Sequence, residues 1–508
     1  MRSQADSVAT TRRGDVGVNL DGASDWMRPW MFVDAFKQAR VWTAGGPAAH
    51  RSGPAELQLD DGGNVVALQP GQFASTYMFT DSEGHYPRGR YVALFEGRGE
   101  LRWSGDASVV SEQPGRVVLD VKPGDGIRLR LARTDPDDPI RRIRVYMPGF
   151  DDPAAAPRFH PEFVERLRPF SVLRFMDLQA TNDSSLSRWQ ERPKTSDATQ
   201  TTRRGVALEH LLELALALDA DPWFCMPHLA DDDFVRRFAT LVRDRLPPRR
   251  KVYIEHSNEV WNGIFAQAQY ARDRGLALGL SEDAYEAQLR YHAERSLEIF
   301  RIWEEVFGGS DRLVRVLGSH FANRWASETV LGWREAYRHA DALAVAPYFG
   351  HRLSKPARVP EVRTWQPQRL IEACQDEIGA ALGEIESLAA MVRAHGLDLI
   401  AYEAGQHLAG RGDARDDVAL TNLLVSANRH PGMKSLYERY IAGWHARGGG
   451  LMLMFSFVSR PGKWGSWGLL EWQDQPRQKA PKYDAVLEYI ESASGDGADR
   501  DEIGLSRS

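Results

Sequence analysis

The sequence predicts an α/β protein: a (β/α)8 TIM barrel with a small antiparallel β domain inserted after the first barrel strand. Three observations predict it. Short apolar runs alternate with amphipathic helical stretches through most of the chain. Eight such runs can be counted, the number that closes a parallel barrel. One contiguous segment, Ala55–Pro148, carries only β-type runs punctuated by Gly, Pro and Asp.

The first strand is Asp15–Leu20. The insertion follows, with runs at Asn64–Leu68, Arg90–Phe95, Arg116–Val121, Gly126–Leu131 and Arg141–Tyr146. From Asp151 strands recur at Ser171–Leu178, Asp221–Pro227, Lys251–His256, Arg312–Gly318, Ala342–Pro347, Asp398–Tyr402 and Gly450–Phe457. Helical patterns fall between them at Leu208–Asp219, Asp233–Arg245, Glu282–Phe307, Ile371–His395 and Val418–Asn428. Strands that are apolar throughout belong to a sheet covered on both faces. An open doubly wound sheet is the rival, but the chain has neither G-x-G-x-x-G nor G-x-x-x-x-G-K-[ST]. The expected division is a tail at 1–14, first strand and following segment at 15–54, β domain at 55–150, remaining barrel at 151–491 and a frayed tail at 492–508.

Composition limits function. In 508 residues, 64 Lys and Arg stand against 70 Asp and Glu, a net charge of −6. A nucleic-acid partner wants a basic excess and is not expected. No run approaches the ~18 apolar residues of a membrane span, and no protein partner is indicated. Cys225 and Cys374 are the only cysteines, which excludes a disulfide framework. The histidines lack H-E-x-x-H or paired ligand spacing, so no metal and no cofactor is expected. Asp231–Asp233 reads as the acidic start of a helix rather than a cation site. Met1–Arg13 is polar without an apolar signal core, cytoplasmic as written and exported if a leader was removed.

In a barrel of this kind chemistry sits at the C-terminal ends of the strands. Those ends carry Asn19 after strand one, Arg174 and Asp177 on strand two, and His228 on strand three. Strand four offers Glu255, Asn258 and Glu259, strand five His320, strand six Tyr348 and strand seven Glu403. Trp464 and Trp467 follow strand eight. Two carboxylates on different strands, an Arg, a Tyr and aromatic rims are the parts of a glycosidase site. The sharpest local signal is Lys251-Val-Tyr-Ile-Glu-His-Ser-Asn-Glu-Val-Trp-Asn262. Polar groups closing an apolar strand are costly unless used, although Asn258 could equally cap a following helix. Glu403 likewise closes Leu399-Ile-Ala-Tyr-Glu.

These residues resemble clan A of the retaining glycoside hydrolases, most nearly family five. The resemblance spans Asp15–Gly45 and Asp151–Tyr489 but not the β insertion. It implies Glu259 as acid/base, Asn258 as the contact to a sugar 2-hydroxyl and Glu403 as nucleophile. It further implies Arg174 and Tyr348 as partners of the nucleophile, His228 as a sugar-site residue, and Trp464 or Trp467 as the floor of the sugar site. Two departures mark a divergent branch: Val260-Trp261-Asn262 replaces the usual Pro, and Ala346-Pro347 stands where a His often precedes the strand-six Tyr. The activity implied is double-displacement cleavage of β-linked oligo- or polysaccharides. A non-catalytic glycan-binding protein on the same barrel, or a transglycosylase using the same residues, is the alternative.

Overall fold

The computed structural model describes residues 15–46 and 56–503. The expected tail at 1–14 and the 54/55 boundary lie outside the described residues. In chain order the strands are β1 (Val16–Asn19), β2 (Thr43–Gly45), β3 (Gln58–Leu59), β4 (Val65–Ala67), β5 (Phe73–Met78), β6 (Gly89–Glu96), β7 (Gly99–Gly105), β8 (Ala107–Gln113), β9 (Arg116–Val121), β10 (Ile127–Thr134) and β11 (Arg141–Tyr146). β12 (Val172–Arg174), β13 (Asp221–Met226), β14 (Val252–His256), β15 (Leu313–Gly318), β16 (Ala342–Val345), β17 (Asp398–Ala404) and β18 (Gly449–Met454) follow. β1 and β12 through β18 close a barrel in sequence order, every pair parallel. The predicted fold class is the observed one.

Two hydrophobic layers build the barrel. Its interior is filled by Val172, Met176, Trp223, Val316, Ala344, Ile400, Tyr402, Leu451 and Leu453. A larger apolar layer packs the strands against the surrounding helices. β1 and β12 approach so closely that a Cβ on Gly17 would meet the Val172 carbonyl oxygen at 2.6 Å. Asp231 caps the helix Asp232–Arg245 by accepting from the Phe234 amide at 2.7 Å, which is the helix-start role read from the acidic run. The helix Ala266–Ala277 carries too weak an apolar stripe to be legible. Its Gly275 lies against the Ala287 carbonyl of the next helix, Ala284–Phe307.

The antiparallel unit holds two four-stranded sheets, β2-β5-β10-β7 and β11-β6-β9-β8. They share one core, in which Phe36, Tyr91, Leu119, Leu129 and Val145 are buried. This unit begins ahead of residue 55, because β2 pairs with β5 and Phe36 and Trp42 belong to its core. Trp30 is buried there too and donates to the His85 carbonyl at 3.1 Å. At the other end, helix Pro481–Ile503 runs past the expected barrel limit at 491. A helix already nucleated on a packed face propagates at low cost into a polar sequence.

Strand two is shorter than its apolar run implies. The chain leaves β12 at Arg174 and turns, with Gln179 N–H donating to Phe175 C=O at 2.8 Å. Asp177 therefore lies in the turn after the strand, not on it. Among the described residues no helix is long and apolar enough to cross a membrane.

Candidate active site

Arg174 is the hub at the C-terminal mouth of the barrel, and it is fully buried. Nε and one Nη donate to Glu255 Oε2 at 3.1 and 2.8 Å. The remaining Nη–H groups reach Asn258 Oδ1 at 2.8 Å, Asn19 Oδ1 at 3.1 Å and Glu403 Oε1 at 3.1 Å. A guanidinium has five N–H donors, and all five have partners. Glu255 Oε2 also accepts from Trp223 Nε1 at 2.9 Å and Cys225 Sγ at 3.4 Å. Asn19 in turn donates to the carbonyls of Tyr402 and Met454. One cation thus joins β1, β14 and β17 through side chains that would be costly to bury singly.

Glu403 is 7 % exposed and accepts from Arg174 and, on its other oxygen, from the Tyr348 hydroxyl at 3.0 Å. Its position depends on a bulge. Ala401 pairs with Met452 and Ala404 with Met454, so three residues of β17 span two of β18. The extra residue breaks strict alternation, and the consecutive side chains Tyr402 and Glu403 both point into the barrel mouth. Glu259 lies beyond β14, where Ser257 and Glu259 take left-handed backbone with φ 59° and 43°. Such conformations cost a non-glycine residue roughly 1–3 kcal/mol. Glu259 accepts from Asn262 Nδ2 at 2.8 Å and from the Tyr402 hydroxyl at 3.0 Å. Asn258 does not cap a helix: the next one begins at Ala266 with Phe265 as its cap.

The electrostatics follow from this crowding. Burial, and then the Glu259 charge, push the Glu403 carboxyl up to about 8. Burial raises Glu259 as well, offset by its two hydrogen-bond donors. Asp177, raised to about 6 by burial, adds to the local negative field, and Asp21 beside it is pushed to about 7. Two acidic groups so coupled hold one proton between them over a wide range of pH. The direct bonds from Arg174 and Tyr348 oppose the rise at Glu403 and favour its ionised form.

Not every expected residue joins this cluster. Trp467 does, its ring 5.7 Å from Tyr348 and 5.0 Å from His407. Trp464 stands apart, 65 % exposed with Arg415 at 4.6 Å and Lys463 at 5.3 Å from its ring. Two cations against that ring leave Trp467 the better candidate for a sugar floor. His228 packs on Tyr270 and His320 on Trp261, with centroids 5.4 and 4.2 Å apart. Burial lowers the proton affinity of both imidazoles. Sequence reasoning missed Tyr402, Asn262, Trp223, Asn182 and His407. Asn182 Oδ1 accepts from Asn258 Nδ2 at 3.0 Å and Gln267 Nε2 at 2.7 Å. For Tyr402 a signal existed: two consecutive polar-tipped residues ending an apolar strand imply a bulge.

Among the described residues no group of three or more His, Cys, Asp or Glu is placed to hold a metal ion. No family model matches this chain, and no curated protein does. Solved structures similar to it include a 4-O-α-L-rhamnosyl-β-D-glucuronidase from Fusarium oxysporum (11% identity, TM-score 0.39, 64% of this chain and 63% of that one). A modular endo-β-1,4-mannanase from Cellulomonas fimi aligns at 12% identity and TM-score 0.33 over 63% and 62%. A broad-specificity endoglucanase from Clostridium acetobutylicum aligns at 9% and 0.35 over 66% and 90%. The chain spans less than two thirds of the length of the first two. Likenesses this distant carry no argument, and the barrel rests on the strand order of this chain.

Proposed function

We propose that this protein is a retaining glycoside hydrolase acting on β-linked oligo- or polysaccharides, with Glu403 as nucleophile and Glu259 as acid/base. One observation carries the reading: two coupled carboxyls at the mouth of a barrel, one ion-paired to Arg174 and one without a cation of its own. Retention is what the clan A resemblance implies, and it requires the two carboxyl groups ~5–5.5 Å apart rather than the ~6.5–9.5 Å of inverting enzymes.

In the first step Glu403 attacks the anomeric carbon while Glu259 gives its proton to the leaving oxygen. Arg174 and Tyr348 keep Glu403 ionised until it is esterified. Its charge then disappears, the proton affinity of Glu259 falls, and Glu259 accepts a proton from the attacking water. Asn258 keeps one amide N–H beyond its bond to Asn182, available to a sugar hydroxyl. Trp467 offers the stacking face.

Mass spectrometry after incubation with a panel of 2-fluoro-glycosyl inactivators tests the proposal. A glycosyl ester on Glu403 is the expected result. Binding of glycans without adduct or turnover across the panel refutes it in favour of a binding protein.

A further inference from the structure

Glu259 is held by two donors of different origin. Asn262 belongs to its own loop. Tyr402 comes from β17, one residue before Glu403, and reaches Glu259 Oε1 at 3.0 Å. Tyr402 is fully buried, with Arg174 Cζ 5.0 Å from its ring centre. Its ring belongs to the apolar interior of the barrel, and a buried hydroxyl there needs a partner. The hydroxyl is there for the carboxyl it touches.

We infer that Tyr402 is a positioning residue for Glu259: its phenol fixes the orientation of the acid/base carboxyl against the nucleophile and favours the ionised form of that carboxyl. The functional half of this inference rests on the glycosidase reading; the Tyr402–Glu259 link rests on geometry. Because Tyr402 and Glu403 are consecutive on one bulged strand, any shift of β17 moves both groups together. The other titratable and charged groups around Glu259 are Arg174 from β12, Glu255 from β14, Tyr348 after β16 and Glu403 itself. Removing the hydroxyl leaves all of these in place. The phenol's donation lowers the proton affinity of Glu259, so its loss raises it.

The test is Tyr402→Phe, read in two ways. First, proteins labelled with 13C at the glutamate carboxyls are titrated by NMR, with Glu259→Gln identifying the resonance. The Glu259 pKa is expected to rise in Tyr402→Phe. Second, kcat/KM is compared on aryl β-glycosides of poor and good leaving groups. A loss of about ten-fold or more is expected with poor leaving groups, which need the proton. Little loss is expected with dinitrophenyl glycosides, and the alkaline limb moves to higher pH. An unchanged Glu259 titration, or equal losses with both leaving groups, overturns the inference. A shifted titration in a protein whose wild type turns over no glycoside upholds the Tyr402–Glu259 link and refutes the glycosidase reading instead.

Discussion

Replacing Arg174 by lysine removes a planar fork whose five N–H groups reach Glu255, Asn258, Asn19 and Glu403. A lysine ammonium has three donors on a single nitrogen and cannot span acceptors on three strands. At least two charge-assisted bonds are lost, each worth about 1.5–3 kcal/mol, which gives about 3–6 kcal/mol. Equilibrium urea unfolding followed by tryptophan fluorescence measures the change as a lower midpoint at constant slope. Arg174→Lys is expected to lose about 3–6 kcal/mol, with kcat/KM falling because an ammonium that reaches fewer acceptors no longer fixes Glu403 in place. A loss below about 1 kcal/mol, the scale of a surface pair, would refute the account of Arg174 as the hub of the barrel mouth.

Three further outcomes are expected. Glu403→Gln removes the charge that competes with ionisation of Glu259, so the Glu259 pKa falls; an unchanged 13C carboxyl titration would mean the two groups are not coupled. The working form carries one proton on the pair, and burial raises both carboxyls, so kcat/KM is expected to fall on the alkaline side once that proton is lost, and a profile flat to pH 10 contradicts the assignment. Asp21 binds its proton more tightly folded, at about 7, than unfolded near 3.9. Wild-type stability from this group is therefore lost as pH rises through that interval. Asp21→Asn is expected to be more stable than wild type at pH 8, with a smaller gain at pH 5, by urea unfolding at each pH. Equal gains at the two pH values would remove Asp21 from the titrating set.

The alternation of apolar runs with helical stretches made the eight barrel strands legible, because a sheet covered on both faces writes its burial directly into composition. The antiparallel unit was legible only in part. β7 and β8 escaped notice since Gly99–Gln113 is mostly exposed and polar, and β2 was separated from its sheet by sequence distance. Arg174, Asn258, Glu259, Tyr348 and Glu403 stood out as polar groups ending apolar strands, and one hydrogen-bonded cluster contains them all. Asp177 was misplaced because apolar content past Arg174 continued after the strand had ended. His228 and His320 lay at strand ends, yet their rings turn to Tyr270 and Trp261.

By itself the sequence determined the barrel and the residue types at its mouth, since both depend on local periodicity and on the cost of burying polar groups. Only the tertiary structure decided how those groups share charge. The β17 bulge that turns Tyr402 and Glu403 to the same side, and the left-handed backbone at Ser257 and Glu259, are departures from the regular periods that sequence reading relies on. They also bring together carboxyls 144 positions apart, and the proton affinity of each depends on distances that no local pattern encodes.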